Sequence, residues 1–389
     1  MTQLELALNY LEQHESEMLA LWEDIVRLES PSTDAAAVAQ VGKYIDDYCT
    51  GLGLEAELHE SGNAGPSLSA KTKAGSLPPL LFLAHTDTVH PIGSFAAGPW
   101  VVKEDGFACG PGAYDCKGGI AIALFVMQAL LHAGYDKRQL KLALASDEEA
   151  AHTLSKGKVV EYLKEQARGC GAAFTMESGP MTGDVITRRK GGGITKMTVK
   201  GIASHAGTDP EKGASAIWAA AQKIVEIQAL SDPNHVTYNC GIIQGGTSAN
   251  VVPDHCEVSV AIRYITNQDC VEAMEKLNAI CATEHVKGTS ASLGPLVGYS
   301  AMEEQEKTGE LFQLYVRASE SLGLGTPKPI FSGGCSDSAY TTALGVPTLD
   351  ALGVLGEYAH TVNECAQVSS MLTQAKRLVS TILSLPDTF

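Results

Sequence analysis

Three short, largely apolar runs in this chain each lead directly into histidine or acidic residues. The runs are continuous and bounded by turn formers, as in strands buried within a sheet, and they comprise residues 79–84, 141–145 and 172–176. His85 follows the first run, Glu148 and Glu149 follow the second, and Glu177 follows the third. Because α/β enzymes carry their chemistry at strand ends, this pattern indicates an α/β fold with a polar site at one edge of its sheet.

The first strand end carries the pattern His85-x-Asp87. An imidazole binds a divalent metal through one ring nitrogen, and a carboxylate two residues further on could accept the proton of the other nitrogen. The pattern therefore predicts a metal ligand at His85 and an orienting residue at Asp87. A histidine that is merely hydrogen-bonded within a loop is the alternative, which a lone His-x-Asp pair does not exclude.

A glycine-rich segment, residues 110–119, places Asp115 just before the apolar residues 120–131, which are predicted to form a helix against the sheet. A carboxylate held by a tight backbone can bridge two cations, since a shared ligand partly neutralises their repulsion and sets a separation of about 3.5–4 Å. Asp115 could instead cap the following helix, but that function does not account for so many glycines.

The remaining acidic and histidine residues complete a possible ligand set. Adjacent acids at a strand end point to different sides, so we assign Glu149 to a metal and Glu148 to proton transfer as the general base. By itself, such an acidic run is often a solvated loop. Glu177 and His360, the latter within residues 356–361, supply further ligands. One imidazole with carboxylates for each ion suits two Zn²⁺ ions and is compatible with Co²⁺ or Mn²⁺.

Five segments together carry a family resemblance: AHTDTV, GPGAYDCKGG, SDEEA, MESG and EYAHTVNE. They resemble the M20 family of zinc-dependent amidohydrolases, which includes glutamate carboxypeptidase, acetylornithine deacetylase, succinyl-diaminopimelate desuccinylase and aminoacylase, and the glutamate carboxypeptidase branch is the most similar. The resemblance implies two zinc ions that share one aspartate. Their ligands would be His85, Asp115 and Glu177 on one side, and Asp115, Glu149 and His360 on the other. Glu148 matches the general base, and a cis peptide bond is implied after Asp115.

The middle of the chain, residues 191–296, has a different pattern and is predicted to be a separate domain. Its periodicity favours a strand, a helix, a strand and a helix, at residues 195–199, 213–230, 255–264 and 268–284. The resemblance implies that this segment is a small ferredoxin-like α/β lid that also forms dimer contacts. The expected fold is therefore α/β: a di-zinc aminopeptidase-like catalytic domain with a mixed central sheet, residues 1–190 and 297–389, interrupted by the lid.

Three lid residues and one loop residue match functional positions of the family. The resemblance implies that His205 reaches the partner subunit's active site and stabilises the oxyanion, and that Asn250 and Arg263 hold the substrate's free carboxylate. Gly334 belongs to a glycine-rich loop, residues 332–337, whose backbone would line the substrate pocket. From the residues alone, a loop histidine, a turn-forming asparagine and an arginine in a surface ion pair remain alternatives.

The expected activity is metal-dependent hydrolysis of an amide or peptide bond in a small substrate, with release of an amino acid that has a free α-carboxylate. Two metals and Glu148 would activate the water. The products would be those of a carboxypeptidase or an N-acyl-amino-acid amidohydrolase. A strict glutamate carboxypeptidase is one alternative, and a non-catalytic metal-binding relative is another.

Two positions bear on the choice of substrate. Where glutamate carboxypeptidases carry a lysine and an arginine for the glutamate side chain, this chain has Ile186 and Tyr299. An apolar residue and a phenol cannot replace two cations that face a carboxylate. Nearby cations that could compensate are Arg188, Arg189 and Lys190. Dipeptides and N-acyl amino acids are therefore expected substrates, without a strict demand for glutamate.

Composition limits the partners. A net charge of -17 argues against nucleic acid or an anionic membrane. No apolar run is expected to reach the roughly 20 residues of a membrane span, and residues 1–29 resemble an amphipathic helix rather than a signal peptide. The ten cysteines show no Cys-x-x-Cys spacing, which predicts reduced thiols in a cytoplasmic protein. The expected partners are a small peptide or N-acyl amino acid and a second copy of the chain.

Overall fold

The chain passes from one structural unit into a second and back again. The computed structural model describes residues 1–389. The first unit, here called the main domain, comprises Met1–Arg188, Met302–Ser332 and Ser336–Phe389. The second, the inserted domain, comprises Arg189–Ala301 together with Gly333–Cys335. The corresponding bounds predicted from the sequence were 190/191 and 296/297.

Helices and strands follow one another along the whole chain. The helices are α1 (Gln3–Gln13), α2 (Glu15–Arg27), α3 (Ala35–Gly51), α4 (Gly118–His132), α5 (Lys158–Ala167), α6 (Ala216–Ala229), α7 (Asn267–Ala282), α8 (Glu306–Ser321), α9 (Ser338–Thr342) and α10 (Val368–Leu383). Short helical turns occur at Ala113–Lys117 and Pro210–Lys212. The strands are β1 (Glu55–His59), β2 (Ser67–Lys71), β3 (Leu77–His85), β4 (Val101–Val102), β5 (Phe107–Cys109), β6 (Arg138–Ala145), β7 (Ala172–Thr175), β8 (Gly179–Pro180), β9 (Val185–Arg189), β10 (Gly191–Lys200), β11 (Ser204–His205), β12 (Thr237–Gly245), β13 (Val251–Val252), β14 (His255–Tyr264), β15 (Ser290–Leu293), β16 (Val297–Tyr299), β17 (Pro329–Ser332), β18 (Thr348–Leu349), β19 (Leu355–Glu357) and β20 (Cys365–Gln367).

The central sheet of the main domain has the strand order β1-β2-β6-β3-β7-β18. Strands β6, β3, β7 and β18 run parallel, whereas β1, β2 and β6 pair antiparallel, so the predicted mixed sheet is confirmed. The parallel strands are largely buried, which explains their continuous apolar sequences. Because β3 lies between β6 and β7, the residues that follow these three strands meet at one edge of the sheet.

Helix α4 forms the centre of the main-domain core, and it confirms the helix predicted over residues 120–131. Its side chains are apolar on nearly all sides and almost all are buried, and it packs against α1, α2 and α10. By length and composition, Ala113–His132 is apolar enough to cross a membrane, contrary to the expectation that no run would be long enough. Since 83% of this segment is buried within the fold, it has the character of a core helix.

The N-terminal segment forms two helices in place of the single amphipathic helix predicted. Helix α1 ends and α2 begins at His14, whose φ of −112° and ψ of 18° are not helical. Helix α2 buries Trp22, whose indole Nε1 donates a hydrogen bond to the main-chain oxygen of Ala113 at 3.0 Å. This contact supports the turn that leads to Asp115.

The inserted domain has the chain order β-α-β-β-α-β, formed by β10, α6, β12, β14, α7 and β15. Its antiparallel sheet has the order β12-β14-β10-β15, which is the predicted ferredoxin-like arrangement. The sequence predicted β10, α6, β14 and α7. It missed β12, whose residues are mostly exposed, and β15, which has only four residues, because neither shows a clear alternation of apolar and polar positions.

Candidate metal centre

The five predicted metal ligands come together at the carboxyl edge of the central sheet. His85 is the last residue of β3, Asp115 lies within the glycine-rich turn, and the other three ligands follow β6, β7 and β19. Their donor atoms form two groups in which all atoms lie within 4.8 Å of one another. The groups are His85, Asp115, Cys116 and Glu177, and Asp115, Glu149 and His360. Asp115 belongs to both.

Asp115 lies between the two imidazoles. Its Oδ1 is 3.5 Å from His85 Nε2, and its Oδ2 is 3.3 Å from His360 Nε2. Glu177 Oε1 is 3.7 Å from His85 Nε2, and Glu149 Oε2 is 3.1 Å from His360 Nε2. A carboxylate with one oxygen towards each histidine is the arrangement that two neighbouring metal ions share.

Two buried atoms at the centre of this cluster are unsatisfied. His85 Nε2 and Asp115 Oδ1 are inaccessible to solvent and have no hydrogen-bond partner, although buried polar atoms are nearly always paired. A divalent cation would satisfy both atoms at once, and imidazole with carboxylates is a donor set that zinc accepts. The residues therefore fit a two-metal centre, and the same donors suit Co²⁺ or Mn²⁺.

Cys116 lies in the first ligand group, but its sulfur is hydrogen-bonded to the main chain. Cys116 Sγ accepts a hydrogen bond from the N–H of His85 at 3.3 Å. Burial raises the pKa of the Cys116 thiol well above its usual range, which disfavours the thiolate that would bind a metal. The peptide bond between Asp115 and Cys116 is cis, as the family resemblance implied.

Burial and neighbouring charges shift the pKa values of the ionisable groups in the site. Burial raises the pKa of Glu148 to about 8 and raises that of Glu177 well above its ordinary range. Hydrogen bonds to Asp115 and Glu149 raise the pKa of His360 to about 11. Burial opposes ionisation of Asp115, yet the two imidazoles lower its pKa well below the usual value. The cluster thus retains protons that metal binding would displace.

Asp87 is buried and holds the turn that carries the acidic pair. Its carboxylate accepts hydrogen bonds from the N–H groups of Glu148 and Glu149, both at 3.1 Å, and from Ser32 Oγ at 2.6 Å. His85 Nδ1 lies 2.9 Å from the main-chain oxygen of Asp87 and 3.5 Å from its carboxylate. The main-chain carbonyl, in place of the predicted carboxylate, therefore orients His85, because the carboxylate serves the turn.

The turn that carries Asp115 is anchored by residues that the sequence did not single out. Glu364 Oε1 accepts hydrogen bonds from the N–H groups of Tyr114 and Asp115, at 2.9 and 3.0 Å. Glu364 Oε2 is 2.6 Å from His90 Nε2. The only signal was an acidic residue in the same motif as His360, and its partner Asp115 lies 249 positions away.

Glycines in this turn allow close approach of the backbone. A Cβ atom on Gly119 would lie 1.9 Å from the main-chain oxygen of Met176, so the start of α4 can approach the residue before Glu177 only without a side chain. Gly112 has a φ of +78°, which L-residues rarely adopt. The glycine-rich sequence is thus explained by packing around the site.

Two of the predicted lid residues lie side by side in the inserted domain. His205 Nδ1 accepts hydrogen bonds from the N–H groups of Gly207 and Thr208, at 3.1 and 3.0 Å, so its proton is on Nε2, which can donate to an anion. The main-chain oxygen of Asn250 accepts a hydrogen bond from the N–H of Ala206 at 2.9 Å. It precedes β13, which pairs with β11.

The other two predicted substrate contacts lie elsewhere in the inserted domain. Arg263 is in β14 and pairs with Gly192 of β10. A Cβ atom on Gly192 would lie 2.6 Å from the arginine side chain. Arg263 Nη1 donates a hydrogen bond to the main-chain oxygen of Ile262 at 3.1 Å. The carbonyl of Gly334 accepts a hydrogen bond from Arg189 Nη1 at 3.4 Å. Glycine 192 therefore leaves room for the Arg263 guanidinium beside β10.

Ile186 and Tyr299, the two residues expected to bear on glutamate selection, are both buried. Ile186 packs in a small apolar cluster with Met302 and Ala351. The main-chain oxygen of Tyr299 accepts a hydrogen bond from the hydroxyl of Tyr264 at 2.6 Å. Ile186 is thus part of the packing of the main domain.

The neighbouring cations contact other groups. The Arg188 guanidinium lies 4.9 Å from the ring centroid of Phe331, a cation–π distance. Lys190 Nζ donates to the main-chain oxygen of Pro233 at 3.5 Å. Arg189 donates its hydrogen bond to Gly334. Each of the three cations, Arg188, Arg189 and Lys190, thus has a contact within its own domain.

The chain belongs to the peptidase family M20/M25/M40, whose family pattern matches residues 81–384. It is 26% identical to carboxypeptidase G2 of Pseudomonas sp. (strain RS-16) over 341 residues, which are 86% of this chain and 80% of that protein. It is also 26% identical to a succinyl-diaminopimelate desuccinylase of Methylobacillus flagellatus over 374 residues, covering 92% and 96% of the two chains. The predicted family is confirmed, and the chain is a hydrolase of the metallopeptidase type.

Solved structures confirm the fold. A tripeptidase from Staphylococcus aureus superposes with a TM-score of 0.76 at 21% identity, covering 95% of this chain and 97% of that one. A Bacillus subtilis protein described as a dinuclear metal-binding peptidase of the M20 family superposes with a TM-score of 0.67 at 16% identity, covering 96% and 99%. At these identities the likeness concerns the architecture.

Proposed function

We propose that this protein hydrolyses an amide or peptide bond in a small substrate and releases an amino acid with a free α-carboxylate, using two metal ions, which we expect to be zinc. The observation that carries the proposal is Asp115, which directs one oxygen towards each of two histidines at a buried sheet edge. Relatives named as a carboxypeptidase and a desuccinylase support this reaction class.

Bound metals would acidify the attacking water and polarise the scissile carbonyl. Glu148 takes the proton of that water and delivers it to the departing amine. The Asp87 carboxylate accepts hydrogen bonds from the main-chain N–H groups of Glu148 and Glu149, so it fixes the position of the general base relative to the metal ligand. The Glu364 carboxylate similarly accepts a hydrogen bond from the main-chain N–H of Asp115 and keeps Asp115 between the two histidines.

Residues of the inserted domain would recognise the substrate. The Nε2–H group of His205 is suited to stabilise the developing oxyanion, because two main-chain N–H groups hold the proton on that nitrogen. The amide of Asn250 and the planar fork of Arg263 are suited to a carboxylate. Gly334 would contribute its backbone. Replacing Arg263 by Lys should raise KM for carboxylate substrates more than it lowers kcat.

The proposed substrates are dipeptides and N-acyl amino acids without a strict demand for glutamate. The basis is Ile186, which is held in an apolar cluster where glutamate carboxypeptidases are expected to carry a cation. An apolar or aromatic side chain on the released amino acid should be accepted at least as well as glutamate.

The test is turnover of a panel of dipeptides and N-acyl amino acids by zinc-loaded protein. The blank is Glu148→Gln, which removes the base and should lower kcat by about 10²-fold to 10⁴-fold without loss of metal. Glu165→Gln, an exposed glutamate of α5, is the matched control and should behave as wild type. The rank of glutamate within the panel tests the specificity.

Other results would redirect the proposal. A demand for glutamate alone would identify a strict glutamate carboxypeptidase. Two tightly bound metals with no turnover of any panel member above the Glu148→Gln blank would indicate a non-catalytic metal-binding protein.

We also propose that the chain forms a homodimer through the inserted domain. Large apolar side chains are exposed on α6 and on the edge strand β12: Trp218, Val225, Ile242 and Ile243. An exposed apolar face beside an unpaired strand edge is typical of an association surface. Light scattering should give twice the chain mass for wild type and the monomer mass for Val225→Glu, whereas Val102→Glu in the main domain should leave the dimer intact.

A cytoplasmic location is proposed from the cysteines. All ten are free thiols, and each is buried or half-buried. Fractionation of the source cells is the direct test, and recovery of the protein outside the cytoplasm would contradict it.

A further inference from the structure

A second histidine–carboxylate cluster lies beside the turn that carries Glu148. His152 Nδ1 is 3.0 Å from Asp147 Oδ1, and His152 Nε2 is 2.7 Å from Asp337 Oδ1. The three residues are 4%, 0% and 3% exposed, respectively, so all are withdrawn from water. The ring of Tyr340 lies 5.7 Å from the imidazole. Unlike His85, this histidine has a carboxylate at hydrogen-bond distance from both ring nitrogens.

The geometry favours a doubly protonated ring between two carboxylates. A neutral imidazole has a single N–H and cannot donate to two carboxylates, whereas an imidazolium donates to both. Burial disfavours the charged ring, but Asp337 and Asp147 outweigh it and raise the pKa of His152 to about 10. Glu148 and Asp87 are further titratable groups that interact electrostatically with the ring. One positive charge therefore lies between two negative ones.

The imidazolium joins two segments that border the site. On one side, Asp147 directly precedes Glu148, and its second oxygen accepts the N–H of Ser155 at 2.8 Å. On the other side, Asp337 directly precedes α9 and follows the glycine-rich residues 333–335. The ring of His152 is thus a rigid link between the base-carrying turn and the end of the predicted substrate loop.

The backbone of the turn also depends on this link. Ala151, His152 and Lys156 have φ values of +49°, +55° and +53°, a region that residues other than glycine rarely adopt. Such conformations are strained and persist only where the surroundings impose them. The two charged hydrogen bonds of His152 supply such a constraint within the turn.

We propose that His152 is a positioning residue for the reaction: as an imidazolium it ties the turn of Glu148 to Asp337 and so holds the general base in place. This inference rests on the proposed function. It goes beyond the family pattern, because none of the metal ligands or substrate contacts includes His152. Loss of the link should lower kcat by a larger factor than it raises KM or lowers metal content, since no ligand and no substrate contact is itself removed.

The first test does not depend on activity. In zinc-loaded protein with ¹⁵N-labelled histidine, NMR at about pH 8 should show one imidazole with both nitrogens protonated, well above the ordinary histidine pKa of about 6.5. The signal should be absent from His152→Gly, which assigns it. A neutral His152 ring at this pH overturns the proposal even if the enzyme is active.

The second test is chemical rescue. His152→Gly suits the left-handed backbone and leaves a space shaped for imidazole, and it should lower kcat by about 10²-fold, the scale of small displacements of reacting groups. Added imidazole should restore much of kcat. 1-Methylimidazole, whose cation has only one N–H, should not. Equal rescue by both compounds, or a kcat within about twofold of wild type before rescue, overturns the two-sided link.

Matched variants separate the link from the turn. Lys156→Gly changes a residue of the same turn with nearly the same φ but an exposed side chain, and it should keep wild-type kcat. If His152→Gly does not fold, Asp337→Asn is measured in its place, since it keeps the shape and removes one charge; an unchanged kcat there overturns the proposal. Absence of turnover in wild type would instead reject the proposed function, with the NMR result still deciding the state of His152.

Discussion

The two halves of the candidate metal centre have the same kinds of donor but very different surroundings. The His85 half, with Glu177, is buried: the His85 side chain is 1% exposed. The His360 half, with Glu149, opens to solvent: the His360 side chain is 57% exposed. Asp115 serves both. Similar donor sets therefore lie in two different environments, one closed to water and one open to it.

The scaffolds explain the difference. His85 ends β3, the strand held between β6 and β7, and its ring is oriented by a main-chain carbonyl. His360 lies in a loop after β19, with a φ of +64°. Charges attract more strongly in a buried, low-dielectric site than beside water. We therefore expect the His85 half to hold its metal more tightly.

The largest effect is expected from removing the ligand that the two halves share. Asp115→Ala should reduce metal content from two ions per chain towards zero and lower kcat/KM by at least about 10³-fold, since both metals contribute to the transition state. Metal analysis by mass spectrometry, together with kinetics, checks this. Retention of two ions at wild-type affinity would show that Asp115 is not a bridge.

The next effect separates the halves. His360→Asn should leave one tightly bound metal, whereas His85→Asn should weaken total metal binding more, because its replacement leaves Glu177 buried without a cation. Competition with a chelator of known affinity measures both. Equal losses of affinity in the two variants would contradict the proposed difference between the buried and open halves.

A smaller effect is expected at Asp87. Its carboxylate holds the N–H of Glu149, while only its main-chain carbonyl contacts His85 Nδ1 closely. Asp87→Asn should therefore weaken the His360-side metal by about 10-fold to 100-fold and leave the His85-side metal almost unchanged. Chelator titration resolves the two steps. Ser32→Ala, which removes only a hydroxyl donor to this carboxylate, should have a weaker effect of the same kind.

The smallest effect is a pH dependence of stability. Without metal, the pKa of Glu148 rises from 4.5 to about 8 on folding, so its contribution is complete below 4.5 and is lost as pH rises towards 8. The pKa of His360 rises from 6.5 to about 11, so its contribution is likewise lost above 6.5. Metal-free protein should therefore become less stable between about pH 5 and pH 8, by a few degrees in Tm.

Bound metal should reverse this trend, because its ligands bind it in their deprotonated forms and affinity rises with pH. Tm values of metal-free and zinc-loaded protein over the same range provide the measurement. Two parallel curves would mean that the titrating groups are not coupled to the metal centre.

Some residues of the site could be recognised from sequence because their signal is local. His85, Glu149 and Glu177 lie at or just after the ends of apolar strands, and parallel pairing of β3 with β6 and β7 brings them to one sheet edge. The inserted domain was predicted as a small α/β unit from its long helices and two regular strands, and the family resemblance implied the ferredoxin-like topology. The mostly exposed β12 had no clear period and was missed.

Other residues had no local signal. The partner of His152, Asp337, is 185 positions away, and the partner of Glu364, Asp115, is 249 positions away. The role of Asp87 was likewise misassigned at the level of atoms, because a two-residue spacing does not distinguish its main-chain oxygen from its carboxylate. Hydrogen bonds of this kind depend on how the loops pack.

The sequence by itself therefore determined the fold class, the family and the types of residue available for a two-metal site, since periodicity and motif order are properties of neighbouring residues. Only the tertiary structure decided which oxygen of Asp115 lies near which histidine, which half of the site is buried, and that His152 lies between two aspartates. These features depend on the packing of side chains from distant segments, and the free energies of burial and hydrogen bonding that select them arise only when the chain is folded.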